Sequence, residues 1–256
     1  MIRLAEIPYL NCAPFYWNKN LGTADFEVQW VPASPKDLGQ RIREGSLDGG
    51  PVSLLDSFEM EEHWEPIPFG ITAIGPAQSV ILFSQEPIKN LDQKETGLTP
   101  QSATSSELLK IILAEKYRIE PLFRQGFQAE DAARLLIGNQ ALFALLDPVW
   151  RKEFPHQMDL GTEWREWTGL PFVFARWMVK KDLDGAVQAG IEDWLLGNLK
   201  GFEENPAHAL EQFEKGRGWK LPQAKEYLAG FNFSIGKTEK QSMETFQNFL
   251  RVPSKI

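Results

Sequence analysis

Hydrophobic and polar positions predict short strands alternating with helices along the N-terminal part of the chain. An apolar strand over Ile2–Ile7 precedes a helix start near Pro14. A strand over Phe26–Val31 precedes a helix in which Ser34 is the N-cap. A third strand over Leu47–Ser53 leads directly into another helix. The resulting order, βαβα, is typical of an α/β protein.

The alternation continues through the middle of the chain. Residues 65–75 are a Pro- and Gly-rich region of loop and strand, and Ala77–Ser84 is an apolar run typical of a strand buried on both faces. The further predicted elements are, in chain order, strand Glu95–Thr99, helix Ser106–Tyr117, strand Ala133–Gly138, helix Gln140–Leu146, strand Met158–Leu160, helix Thr162–Thr168 and strand Phe172–Val179. From Asp184 onward the pattern is mainly helical.

The order of these elements predicts two lobes. Gln85-Glu86-Pro87 disfavours helix and predicts a crossover out of the first lobe, and the strand over Phe172–Val179 returns to it. We therefore expect a discontinuous lobe I of residues 1–85 and 178–256, a lobe II of residues 86–177, and a ligand cleft between them.

Composition narrows the class of protein. The chain has 256 residues, 43% of them apolar, and a net charge of −8 without a Lys/Arg cluster, which argues against a nucleic-acid partner. No apolar run approaches the roughly 20 residues of a membrane span, and the N-terminus lacks the pattern of a signal peptide. The single cysteine, Cys12, fits a reducing compartment and is more typical of a small buried residue than of a nucleophile. We expect a cytoplasmic protein, either a monomer or a homodimer.

Neither a metal nor a cofactor is indicated. His63, His156 and His208 are far apart in sequence and are expected to be solvated, and there is no glycine-rich dinucleotide or phosphate loop. Among the acidic residues, Asp48 is expected to hold a turn and Asp56 to face solvent on a helix. No carboxylate is a persuasive general acid or base.

The remaining candidates are neutral polar groups at the ends of predicted strands. They are Asn11, Ser53, Ser79, Ser102, Thr104, Ser105 and Thr168. Ligands of open α/β sheets bind at the carboxyl ends of strands, and neutral donors beside helix N-termini suit a carboxylate. The alternative is that Asn11 only caps a helix or shapes a turn and that the hydroxyls are ordinary helix caps.

Several of these residues lie in motifs that identify a family. Tyr-Leu-Asn-Cys-x-Pro occurs at residues 9–14, Gln-Ser-Val-Ile-Leu-Phe-Ser at 78–84 and Trp-Thr-Gly-Leu-Pro-Phe-Val-Phe-Ala at 167–175. From Arg3 to about Lys181 the chain resembles the chorismate dehydratases of the futalosine route to menaquinone. The resemblance implies a two-lobed type II periplasmic-binding-protein-like fold with a mainly helical C-terminal part. It also implies dehydration of chorismate without a cofactor.

The resemblance assigns roles to individual residues. It implies that Asn11 and Ser79 are catalytic. We expect the substrate to be bound by Tyr9, Ser53, Ser102, Thr104, Ser105, Gly138, Asn139, Thr168 and Gly169. Members of the family often carry Asp where this chain has Asn139, and Arg176, beside the last motif, could reach a cleft. Since no matched motif holds a His, Lys or carboxylate, we hypothesise that the enolpyruvyl carboxylate of chorismate is itself the base.

Two other functions are compatible with the sequence. A non-catalytic protein that binds a small anion between two lobes would share the same fold. The sister enzyme of the same route, 1,4-dihydroxy-6-naphthoate synthase, also shares it, but it is expected to use a histidine, and no histidine here falls in a matched motif.

Overall fold

The computed structural model describes residues 1–20, 26–215 and 223–251. Within these residues the chain forms two compact units. The first unit consists of residues 1–71 and 175–235, and the second of residues 72–174 together with the chain from residue 236 onward. The architecture is α/β in both units, as the alternating pattern predicts.

Six of the described strands form the sheet of the first unit. They are β1 Ile2–Glu6, β2 Val28–Pro32, β3 Gly49–Ser53, β4 Trp64–Ala73, β10 Phe172–Lys180 and β11 Phe231–Ser234. Their order across the sheet is β11-β4-β10-β3-β1-β2, with β1 parallel to both β2 and β3. The helices of this unit are α1 Ala13–Tyr16, α2 Pro35–Arg43, α3 Leu54–Met60, α8 Gly185–Glu204, α9 Pro206–Glu214 and α10 Ala224–Leu228.

Five described strands form the sheet of the second unit. They are β5 Val80–Ser84, β6 Glu95–Leu98, β7 Leu122–Gln125, β8 Ala133–Ile137 and β9 His156–Asp159, in the order β7-β6-β8-β5-β9. The helices are α4 Ala103–Ile111, α5 Gly138–Leu146, α6 Pro148–Glu153, α7 Leu160–Thr168 and α11 Lys237–Arg251. Every residue of β5 is buried, as its continuous apolar sequence predicts.

The boundaries between the units differ from those expected from the sequence. The chain passes between the units inside strands, between Ile71 and Thr72 in β4 and between Phe174 and Ala175 in β10. Gln85-Glu86-Pro87 is instead a connection within the second unit, in which the Ser84 hydroxyl donates to the carbonyl of Glu86 at 2.6 Å. The sequence misplaces the crossover because a boundary inside a continuous strand leaves no break in the hydrophobic pattern.

The last helix is also assigned differently. The sequence placed residues 178–256 together, but α11 belongs to the second unit. The indole N–H of Trp164 donates to the Ser242 hydroxyl at 3.1 Å, and Phe246 packs edge-on against Phe172 with ring centroids 5.2 Å apart. These contacts join positions about 75 residues apart in sequence, and the local pattern of α11 contains no information about its partner.

Four local elements differ from the predicted ones. Residues 65–75 were expected to be loop and strand, but most of them lie in the ten-residue strand β4. Proline has no backbone N–H. Because Pro66 and Pro68 are two residues apart, both missing N–H groups would lie on the same side of the strand, and the hydrogen bonds on the other side are kept. The short elements β7 and α6 were missed. The helix expected over Ser106–Tyr117 is α4 followed by a π-helical turn over Ile112–Tyr117.

Candidate active site

In the first unit, three parallel strands end at one edge of the sheet. Because β2 and β3 both run parallel to β1, the residues that follow the three strands are brought to the same side. Asn11 follows β1, in a 3₁₀ turn over Leu10–Cys12, and Ser53 is the last residue of β3. The structure therefore places two of the predicted site residues at the carboxyl edge of this sheet, where ligands of α/β proteins bind.

Asn11 does not cap a helix. The N-cap of α1 is Cys12, and no side chain caps that helix. The Asn11 side chain is half-buried, and its Oδ1 accepts from the Cys12 thiol at 3.5 Å. Cys12 is fully buried, as expected for a small core residue. The helix-capping alternative for Asn11 is therefore wrong, and its amide remains a candidate ligand group.

Buried aromatic residues pack beside the 3₁₀ turn that carries Asn11. Tyr16 and Phe15 are buried and pack against Trp177 on β10, with ring centroids 6.1 and 5.8 Å away. The Tyr16 hydroxyl donates to the carbonyl of Ala5 at 3.0 Å, which ties α1 back to β1. Tyr9 is half-buried at the start of the turn, and burial, with smaller effects from Cys12 and Asp37, raises the pKa of its phenol. Tyr9 therefore stays a neutral hydroxyl.

In the second unit, four segments meet at one edge of the sheet. Strands β6 and β8 are parallel, so the chain after Leu98 and the chain after Ile137 emerge on the same side. Strand β5 runs antiparallel to β8, with Val80 opposite Ile137, which brings the residue before β5 to this edge. That residue is Ser79. Strand β9 is also antiparallel to β5 and ends here at Asp159.

Ser79 and Gly138 are direct neighbours in this edge. The N–H of Gly138 donates to the carbonyl of Ser79 at 2.7 Å. Gly138 has φ +56°, which a glycine adopts at little cost, and it begins α5, with the half-buried Asn139 in the first turn. The Ser79 side chain is fully buried, and its hydroxyl donates to the carbonyl of Ala77 at 3.2 Å. Three predicted site residues are thus adjacent.

The hydroxyl cluster at the start of α4 lies after β6. Ser102 is the N-cap, since its Oγ accepts from the N–H of Ser105 at 3.2 Å, and its hydroxyl donates to Ser105 Oγ at 3.1 Å. Thr104 lies in the first turn between them, and all three residues are buried. The capping alternative is correct for Ser102. The cap uses the N–H of Ser105, and an anion-binding role for the start of α4 stays a prediction.

Asp159 is a functional candidate that the sequence reasoning missed. Its Oδ1 accepts from the N–H groups of Ala77 and Thr162, each at 2.9 Å, and its Oδ2 accepts from the N–H of Gln78 at 2.6 Å. Burial raises the pKa of this carboxyl, although all three N–H groups act in the opposite direction. The available signal was an acidic residue between a strand and a helix, which is an N-cap pattern. Nothing in the sequence links it to residues 77 and 78.

Three other predicted site residues use their polar groups for local structure. The Ser53 hydroxyl donates to Asp56 Oδ2 at 2.7 Å at the start of α3. The Thr168 hydroxyl donates to the carbonyl of Trp164 at 2.8 Å and accepts from the N–H of Leu170 at 3.1 Å. Gly169, with φ +75°, ends α7 in the left-handed conformation. Their assignment to substrate binding stays a prediction.

Two charged residues, Arg176 and Asp56, differ from expectation. Arg176 is buried in the first unit, where its Nε donates to Ser57 Oγ at 2.8 Å and its guanidinium pairs with Glu61, so it does not reach for a ligand. Asp56 does not face solvent freely, because it accepts from Ser53 and pairs with Arg43 at 3.1 Å. The partners of Arg176 are remote in sequence, and those of Asp56 lie on the neighbouring turn or on α2.

Asp48 holds its turn, as expected. Its carboxylate accepts from Arg3 Nε at 3.0 Å and from Lys180 Nζ at 2.8 Å. Burial alone would raise the pKa of Asp48, but the hydrogen bonds from Arg3 and Lys180 outweigh it and lower the pKa well below its ordinary value. This carboxylate is therefore ionised and structural.

The histidines are not grouped. His63 and His208 are exposed as expected, whereas His156 lies half-buried on β9 rather than in solvent. Among the described residues, no three His, Cys, Asp or Glu side chains are placed to hold a metal ion. In the same part of the chain no helix combines the length and the apolar character needed to cross a membrane.

The fold defines the class of protein. A crystal structure of a protein from Archaeoglobus fulgidus superimposes with a TM-score of 0.77 at 18% identity, covering 97% of this chain and 96% of that chain. The periplasmic aliphatic sulphonate binding protein of Escherichia coli superimposes with a TM-score of 0.67 at 13% identity, covering 100% of this chain and 89% of that chain. The chain thus has the periplasmic-binding-protein-like fold, with a mainly helical C-terminal part.

Sequence comparison defines the family within this class. The model of the family described as menaquinone biosynthesis matches residues 2–251, so the chain belongs to that family. The chorismate dehydratase of Thermus thermophilus is 28% identical over 273 residues, which cover 96% of this chain and 93% of that protein. The resemblance found in the motifs therefore extends over almost the whole chain.

Proposed function

We propose that this protein is a chorismate dehydratase, a hydro-lyase that converts chorismate to 3-[(1-carboxyvinyl)oxy]benzoate and water. The observation that carries the proposal is the grouping of Ser79, Gly138 and Asn139 with the α4 N-terminus at one sheet edge, in a chain of the menaquinone biosynthesis family. The similarity to a chorismate dehydratase over 96% of the chain supports the same activity. The lone cysteine fits work in the cytoplasm.

The groups at this edge suit a small dianion. Hydroxyls and backbone N–H groups bind carboxylates without bringing a counter-charge that would have to be desolvated. The helices α4 and α5 both begin at this edge, so the positive ends of their dipoles point toward it. A protein of net charge −8 therefore still offers local sites that favour an anion.

The reaction needs little from a protein base. Dehydration removes the proton from the ring carbon that carries the enolpyruvyl ether and expels the hydroxyl from the neighbouring carbon. The electrons of the broken C–H bond become a ring double bond, and the product is aromatic. In our mechanism the enolpyruvyl carboxylate of the substrate accepts this proton and passes it to the departing hydroxyl, so that water leaves and the carboxylate is regenerated. The enzyme supplies orientation, which can account for several orders of magnitude in rate.

Asn11 and Ser79 are assigned the catalytic roles. The Asn11 amide both donates and accepts, so it can orient the enolpyruvyl carboxylate without fixing its charge. The Ser79 hydroxyl, now donating to Ala77, can donate instead to the oxygen on which negative charge develops.

The other assigned residues are proposed to bind and not to react. Tyr9, Ser102, Thr104, Ser105, Gly138 and Asn139 have hydroxyl, amide or backbone groups at the two strand edges. Asn139 keeps the hydrogen-bonding shape of the Asp often found there while removing a negative charge. Ser53, Thr168 and Gly169 would act through the local structure that they stabilise, because their polar groups already have partners.

The first test is turnover of chorismate by the purified protein in EDTA and without added cofactor. We expect a product lighter by one water, with kcat lowered by about 10²- to 10³-fold in Asn11→Ala and Ser79→Ala. Ser84→Ala is the matched control for Ser79, since Ser84 is also buried, ends the strand that Ser79 precedes and donates to the carbonyl of Glu86. Wild-type turnover in both Asn11→Ala and Ser79→Ala would disprove the mechanism.

The same experiment separates the alternatives. A protein that binds small anions without chemistry is suggested by the fold it shares with a sulphonate-binding protein. In that case chorismate would raise the melting temperature but remain unchanged. An enzyme of the sister synthase type would neither convert nor be stabilised by chorismate, and would act on a larger cyclic substrate.

A further inference from the structure

The segment before Ser79 is held by a single carboxylate on another strand. Ala77 and Gln78 both donate their backbone N–H groups to Asp159, at 2.9 and 2.6 Å. Asp159 is opposite Ile81 in the β9–β5 register, and it also accepts from the N–H of Thr162 as the N-cap of α7. One side chain therefore joins the start of a helix to the segment that carries the proposed catalytic hydroxyl.

The hydroxyl of Ser79 depends on that anchor. Ser79 Oγ donates to the carbonyl of Ala77 at 3.2 Å, and the N–H of Ala77 is bound to Asp159. Gln78, between them, has φ +54°, a conformation that a residue with a side chain adopts only when its surroundings impose it. The hydrogen bond from Gln78 N–H to Oδ2 supplies such a constraint.

A glycine allows the close approach on which this contact depends. A Cβ added at Gly161 would lie 2.5 Å from the carbonyl oxygen of Gly75 and 2.9 Å from the nitrogen of Ala77. Both are backbone atoms, so a side chain at this position would displace the segment. At the N-terminal end of α7, Asp159 thus binds Ala77 and Gln78, and Gly161 leaves room for the backbone of Gly75 and Ala77.

This inference rests on the proposed role of Ser79. We infer that Asp159 is a positioning residue that holds the backbone segment before Ser79 and so places the Ser79 hydroxyl, with Gly161 providing the space. A carboxylate is the group this position requires. Three N–H donors converge on its two oxygens, and only an acceptor-only group satisfies all three.

The discriminating variant is Asp159→Asn. Its amide oxygen can keep the bonds to Ala77 and Thr162, but its NH₂ group then faces the N–H of Gln78. The helix cap survives, since Asn caps as well as Asp. Because a displacement of about 1 Å at a reacting group can cost about 10²-fold, we expect kcat to fall ten- to a hundredfold with KM changed less than about threefold.

Asp147 provides a matched control in the same unit. It is the N-cap of α6 and accepts from the N–H of Val149 at 2.8 Å, on a helix that follows a different connection. Asp147→Asn should leave kcat within about twofold of wild type. Equal effects of Asp147→Asn and Asp159→Asn on kcat would overturn the inference.

A double-mutant cycle tests whether Asp159 acts through Ser79. In a Ser79→Ala background, Asp159→Asn should cause almost no further loss of kcat, because the group it positions is absent. An undiminished additional loss would show that Asp159 acts in another way. If Asp159→Asn does not fold, Gly161→Ala replaces it in the same cycle, with the same expected result.

A measurement without substrate separates this inference from the proposed function. Amide hydrogen exchange of the peptide covering Ala77–Ser84 should rise in Asp159→Asn and not in Asp147→Asn. If the wild type fails to convert chorismate, the proposed function fails, and exchange still decides whether Asp159 holds the segment. Unchanged exchange in Asp159→Asn would overturn the inference whatever the activity.

Discussion

Two single carboxylates, Asp48 and Asp159, each form hydrogen bonds to parts of the chain that are remote in sequence. Asp48 bonds to Arg3 and Lys180, which are 45 and 132 residues away in sequence. Asp159 bonds to Ala77 and Gln78, 82 and 81 residues away. In both cases the acid lies at the end of a strand or turn, where backbone and side-chain donors from other strands converge. Such residues stabilise the fold through geometry that local sequence does not reveal.

Asp48 makes stability depend on pH in the acid range. Its pKa is lowered in the folded state from about 3.9 in the unfolded chain, so its contribution is complete above about pH 5 and is lost progressively as the pH falls below that. Asp48→Asn should lower the free energy of unfolding by about 1–3 kcal/mol at pH 7, and by less at pH 3. Urea unfolding at several pH values measures both.

The control for this prediction is Asp182→Asn, at an exposed position. It should change the free energy of unfolding by less than about 0.5 kcal/mol at every pH. A gap between wild type and Asp48→Asn that stays constant from pH 7 to pH 3 would contradict the assigned role.

At the scale of elements, helix α11 completes the core of the second unit. Phe246 is fully buried and packs against Phe172 and Trp164, with ring centroids 5.2 and 6.2 Å away. Phe246→Ala should therefore lower the free energy of unfolding by about 3–5 kcal/mol. Denaturant unfolding followed by tryptophan fluorescence is a direct measure, because Trp164 lies in the same cluster.

The exposed Glu244, on the same helix, serves as the control for Phe246. Glu244→Ala should be within about 0.5 kcal/mol of wild type. If Phe246→Ala is equally mild, α11 does not contribute to the core of this unit as described.

Helix α7 shows how one element combines structure and the proposed chemistry. Its N-terminus holds the segment before Ser79, and Lys116 and Tyr117 bind Glu163 on its first turn at 2.6 and 2.9 Å. Both partners come from the π-helical turn that follows α4, and such turns are frequent at functional sites. The helix is therefore fixed from two directions.

For the whole molecule, net charge and local charge act in opposite directions on substrate binding. At −8 the protein repels a dianion at long range, whereas the donors that we propose to bind it would attract it at short range. Salt screens exposed charges over about 8–10 Å but screens buried contacts much less. KM for chorismate should therefore fall modestly between about 20 and 150 mM NaCl, with kcat unchanged.

Steady-state kinetics across this salt range tests the balance, with an equal osmolarity of sucrose as the control for non-ionic effects. A KM that rises steadily with salt would mean that exposed positive charge, and not buried neutral donors, dominates binding.

The sequence alone determined the α/β class, most of the elements, the buried β5 strand and the motifs that lead to the family. It did so because these features are local. Period-two and helical patterns, caps such as Ser34 and prolines at helix starts depend on neighbours a few residues away. The residues Ser79, Gly138 and Asn139 were selected from motifs, and the structure brought them to one edge.

Only the tertiary structure decided the crossover points inside β4 and β10, the placement of α11 and the partners of Asp159 and Arg176. These features depend on strand order and on contacts between positions far apart in the chain. The hydrophobic pattern cannot predict them, because it reflects only neighbouring residues. Asp159 is an example of a residue whose partners only the tertiary structure reveals. As sequence it is an ordinary helix cap, and only the antiparallel register of β5 and β9 turns it into the anchor of the segment before Ser79.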